Sequence, residues 1–76
     1  MQTRKPLSDT DWAVLAVVAA GSNGHPDSDA LLLAARGSWH RLDSLLLNLE
    51  RRWLITRSGS RIRPLAVAVR MVRARK

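Results

Sequence analysis

His40, Asp43 and Ser44 stand within five residues of one another, and their side-chain types are those of a nucleophilic triad. Their spacing argues against that chemistry. On a helix they project side by side, with no sharp turn to expose the serine and no obvious oxyanion donors. A metal centre is no better supplied. His25 and His40 are the two histidines, cysteine is absent, and the carboxylates do not fall at ligand spacing. There is no Gly-x-Gly-x-x-Gly stretch and no phosphate-loop lysine. The expectation is a protein that is not an enzyme and carries no cofactor or metal.

The basic side chains point to a different chemistry. Residues 1–50 hold four of them (Arg4, Lys5, Arg36, Arg41) together with all six acids, a net charge of −2. Residues 51–76 hold nine and no acid, and eight of the nine are arginines. A segment this basic repels itself and favours a negative partner. Arginine presents a planar fork of donors suited to phosphates and to base edges. The partner expected first is a polyanion, double-stranded DNA above all. A membrane surface would also attract such a segment. However, the apolar run Trp12–Ala20 is too short to span a bilayer. Arg4 and Lys5 are followed by a proline and acids, not by the long apolar core of a secretory signal. A soluble, cytoplasmic protein without a membrane partner is expected, and the lack of cysteine fits a reducing compartment.

At 76 residues there is room for one domain. A domain near this size buries only about 60% of its unfolded surface, so its core must be compact. Hydrophobic residues make up 46% of the chain but include only three aromatics, all tryptophan. The core must therefore be built from Leu, Val and Ala, with Trp12 and Trp53 as plugs and Trp39 the tryptophan expected to be exposed.

Residues 1–7 read as a flexible basic arm, and 8–76 as the domain. Ser8-Asp-Thr-Asp resembles a capping box, with acids where the helix dipole favours them. A first helix is predicted over about 9–20, with Trp12, Leu15, Ala16 and Ala19 as its stripe. Residues 21–26 form a loop by composition. Asp27, Ser28 and Asp29 cap a short second helix that Arg36-Gly37 ends. Ser38 caps a third, over about 39–52, with Leu42, Leu45, Leu46 and Leu49 as its apolar stripe. Trp53–Arg57 and Arg61–Arg63 read as two short strands around a three-residue loop, Ser58-Gly59-Ser60. Residues 65–76 fit helix and strand alike by periodicity. Their alanine, methionine and arginine favour helix. The fold class is thus mainly α with one small β-hairpin.

With the leucine stripe inward, the third helix turns His40, Ser44, Leu47 and Arg51 outward, flanked by Arg41 and Asn48. Arginine can pair with guanine, asparagine with adenine, and serine and histidine with bases or phosphates. Leu47 could touch a thymine methyl or, with Trp39, form part of a protein-binding patch. Arg57, Arg61 and Arg63 lie on the hairpin with no acid near them in sequence. Arg70, Arg73, Arg75 and Lys76 either extend a phosphate contact or form a solvated tail.

The order helix, short helix, tight turn, helix, basic hairpin, helix resembles a winged helix-turn-helix domain. The residues Leu42, Leu45-Leu46, Leu49-Glu50-Arg51 and Leu54-Ile55, then Arg57, Arg61 and Arg63, are similar to the recognition-helix-to-wing segment of PadR, MarR and ArsR-type regulators. Trp53 departs from this pattern, standing where those families usually carry glycine. The resemblance implies a three-helix core, a wing at 53–63 and a sequence-specific transcriptional regulator of bacterial or phage type. It places helix 39–52 in the major groove and the wing on the backbone or minor groove. Ser38, Trp39, His40, Arg41, Ser44, Leu47, Asn48, Arg51, Arg52, Arg57, Arg61 and Arg63 would then meet DNA. A winged-helix protein-interaction module stands as the alternative, such as a small phage-type inhibitor that binds a host nucleic-acid-handling complex, with Trp39 and Leu47 as its contact residues. A homodimer stays open under either.

Overall fold

A computed structural model describes residues 6–75; residues 1–5 and Lys76 lie outside the described part, and most of the expected arm lies there with them. The elements are α1 (Asp9–Ala20), α2 (Ser28–Ala34), α3 (Trp39–Arg51), β1 (Ile55–Ser58), β2 (Arg61–Pro64) and α4 (Ala66–Arg75). The chain is mainly helical with one antiparallel hairpin.

The helix starts follow the residues expected to cap them. Ser8 Oγ accepts from the Asp11 N–H at 3.1 Å, and Asp11 Oδ2 accepts from the Ser8 N–H at 3.0 Å, closing a capping box. Asp27 caps α2 through the N–H groups of Asp29 and Ala30, and Ser38 caps α3 through that of Arg41. Such a cap contributes about 1 kcal/mol.

The helix ends are less ordinary. After α2 the Arg36 N–H donates to the Leu33 carbonyl and the Gly37 N–H to that of Leu32. After α3 the Trp53 N–H donates to the Glu50 carbonyl and the Leu54 N–H to that of Leu49. Both are Schellman exits, which need a left-handed residue just past the cap. That residue is Arg36 in one and Trp53 in the other, with φ of 61° and 60°. Trp53 thus takes, at the position where the resembled families usually carry glycine, the left-handed conformation that glycine adopts more readily. It is held there by two backbone bonds and by Leu54 and Leu49, both buried in the core. Trp53 is also no core plug: the residue is 73% exposed.

α1 packs against α2, α3, α4 and β2. Its buried face is Asp11, Val14, Leu15 and Val18; of the expected stripe Leu15 is buried, Trp12 packs half-buried against the core and Ala16 is exposed. The segment from Trp12 to Ala20 is apolar on nearly every side, so periodicity could not choose the face. The α3 stripe holds: Leu42, Leu46 and Leu49 are buried and Leu45 packs half-buried against them. Leu31, Ala35, Leu54, Ile55 and Ala68 complete the core, and Leu7 packs on its edge. Each fully buried leucine contributes about 1.5–3 kcal/mol.

Ala66–Arg75 is helical. Arg75 lies over the Trp12 ring at 4.6 Å from its centroid and approaches Asp9 at 3.6 Å. It ties α4 to the start of α1. Among the described residues no helix is long and apolar enough to cross a membrane.

Candidate nucleic-acid interface

The hairpin pairs Ile55 with Pro64, Thr56 with Arg63, Arg57 with Ile62 and Ser58 with Arg61. Its loop is therefore the two residues Gly59 and Ser60, not three. Gly59 at the first loop position has φ +60°, as a type II′ turn requires.

Side chains alternate across the strands. Ile55 is buried and Arg57, Ile62 and Pro64 are half-buried, so these four form the inner face. Thr56, Ser58, Arg61 and Arg63 are exposed and form the outer face. The three wing arginines are thus split between two environments. On the inner face the Arg57 guanidinium meets both acids of α3. It donates to Glu50 Oε1 from Nε at 3.3 Å and from Nη2 at 3.1 Å, and its Nη1 lies 3.7 Å from Asp43 Oδ1. The expectation of an arginine cluster without acids therefore fails for Arg57. It holds for Arg61 and Arg63, which join no ion pair among the described residues.

A further segment reaches the hairpin. Ser22–His25 is a tight turn in which Asn23 and Gly24 both have positive φ and the His25 N–H donates to the Ser22 carbonyl. The Gly24 carbonyl accepts from the Ile62 N–H at 2.9 Å, so this turn lies along the free edge of β2. A Cβ on Gly24 would lie 3.0 Å from Arg63 Nε and 3.2 Å from Arg61 Cβ. The missing side chain gives the two arginine stems their room. The composition of 21–26 signalled a loop, but nothing in it signalled this contact.

On α3, His40, Arg41, Ser44, Leu47 and Arg51 are exposed, and Asn48 and Arg52 half-buried. Leu47 at 40% and Trp39 at 61% exposure are open, as expected. Ser38 accepts the Arg41 N–H as helix cap, which leaves its hydroxyl proton free to donate. Asp43 and Glu50 occupy one flank of α3, the flank that Arg57 covers. The outward face from His40 to Arg51 carries no carboxylate of its own. Of His40, Asp43 and Ser44, Asp43 approaches Arg57 at 3.7 Å. Among the described residues no group of His, Asp or Glu is placed to hold a metal ion.

Trp39 also borders a groove of about 260 Å³ with Ser28, Leu31, Leu42, Asp43, Leu46 and Ile62, where α2, α3 and β2 meet. Compared with known proteins, the chain matches no family model, no curated protein and no solved structure.

Proposed function

We propose that the chain is a winged helix-turn-helix protein that binds double-stranded DNA in the cytoplasm as a transcriptional regulator of bacterial or phage type. In this reading α3 enters the major groove and the hairpin is the wing. The sorting of charge is the observation that carries it. The acids of α3 are held by Arg57, while Arg41, Arg51, Arg61 and Arg63 are exposed and join no ion pair among the described residues. The order of helices and hairpin supports the same reading. The protein acts by binding, not by catalysis.

The test is affinity for duplex DNA as a function of salt. Arg51, Arg61 and Arg63 at phosphates release counterions and give a log–log slope of roughly −3. Removing Arg61 and Arg63 together flattens that slope by roughly 2, with similar loss on every sequence. A slope near zero, or no duplex binding at low salt, overturns the proposal.

One observation favours a second reading. Trp39 and Leu47 are exposed on α3, and Trp39 borders an apolar groove. A protein partner seated there would make the chain an interaction module, such as an inhibitor of a host nucleic-acid-handling complex.

A further inference from the structure

We propose that the outer face of the hairpin is a two-rung cradle for successive phosphodiesters of a DNA backbone, in which Thr56 and Ser58 bind phosphate alongside the arginines. This rests on the DNA-binding reading above and adds residues and geometry to it.

The register sets the two rungs. Thr56 stands directly opposite Arg63, and Ser58 directly opposite Arg61. Opposed residues of an antiparallel pair hold their Cβ atoms about 5 Å apart. Residues two apart on one strand are separated by about 6.8 Å. Each rung therefore pairs an arginine with a hydroxyl-bearing residue on one face, and the rungs repeat along the strand. The four side chains line an open groove of about 310 Å³. None of them has a hydrogen bond or ion pair elsewhere among the described residues, so their donors are unspent.

Two features favour an anion in the groove. Gly24 lies beneath the arginine stems and leaves them the volume a side chain would fill. Arg57 lies on the opposite face, hydrogen-bonded to Glu50 and 3.7 Å from Asp43, so both acids lie on the side of the hairpin away from the groove. The chemistry is that of a phosphate site. A phosphodiester offers two non-bridging oxygens that share one negative charge. A guanidinium fork donates to them with charge assistance, and a hydroxyl donates a further bond without adding charge. Two rungs match two negative charges with two positive ones.

The hydroxyls give a test that separates the cradle from general attraction. The double variant Thr56→Val with Ser58→Ala keeps every charge and alters only exposed positions. It is expected to lower duplex affinity roughly two- to tenfold for each hydroxyl, at an unchanged salt slope and melting temperature. Arg61→Lys with Arg63→Lys keeps the charge but loses the fork, and is also expected to weaken binding without flattening the slope. If the wild type binds duplex DNA steeply and both double variants bind as well as it does, the cradle is overturned while the DNA-binding reading stands. If the wild type does not bind duplex DNA at low salt, both fall. If the hydroxyl variant loses affinity for inorganic pyrophosphate but not for duplex DNA, the groove belongs to a free phosphate compound and the DNA cradle is overturned.

Discussion

The Arg57 guanidinium on β1 donates twice to a single carboxylate oxygen of Glu50 on α3, from Nε at 3.3 Å and from Nη2 at 3.1 Å. The two residues are seven apart in sequence and face each other only because the chain reverses at Trp53. The bond fastens the hairpin to α3 and neutralises an acid beside the candidate interface. Both side chains keep partial contact with solvent, which weakens the pair. A double-mutant cycle with Arg57→Met and Glu50→Gln, read by urea unfolding, is expected to show a coupling of about 0.5–1 kcal/mol. Additive effects would mean that the clamp does not form in solution.

Two adjacent leucines of α3 should behave in opposite ways. Leu46 is buried and Leu47 is exposed. Leu46→Ala is expected to cost about 2–5 kcal/mol, and Leu47→Ala to stay within about 0.5 kcal/mol of wild type. Chemical unfolding of both variants checks the orientation of the helix. Equal losses would show it to be rotated.

Trp53 holds a left-handed conformation with most of its indole in solvent. An L-residue with a side chain loses about 1–2 kcal/mol there relative to glycine, and glycine gives back part of that as unfolded-state entropy. Trp53→Gly is therefore expected to stabilise the fold by roughly 0.5–1 kcal/mol. A lower melting temperature would show that the indole packs more than its exposure suggests.

The two readings of α3 separate by mutation. If the helix reads bases, Arg41→Ala and Asn48→Ala weaken a preferred site more than random duplex, by about 1–3 kcal/mol for each good base contact. Trp39→Ala and Leu47→Ala should instead abolish a protein complex and leave duplex binding nearly unchanged if the helix docks a protein. Selection from random oligonucleotides supplies the preferred site. A selection that enriches no sequence would favour the protein partner.

Local chemistry decided much of this molecule. Serine and aspartate caps, the leucine spacing of α3 and the glycine between two β-favouring runs act over three or four residues, so their signals were legible in order along the chain. The sequence determined by itself that the basic charge is concentrated after residue 50. What it left open involves partners distant in sequence or a choice among equal faces. The face of α1 was ambiguous because that helix is apolar nearly all round, and only packing against three helices and β2 selected Val14, Leu15 and Val18. The left-handed exit at Trp53 is decided by the burial of Leu54 and Leu49 on either side of it, which outweighs tryptophan's own preference. The division of the arginines is decided by register. A strand sends alternate side chains to opposite faces, so docking the hairpin on α3 turned Arg57 inward to Glu50 and Asp43 and left Arg61 and Arg63 outside, above Gly24.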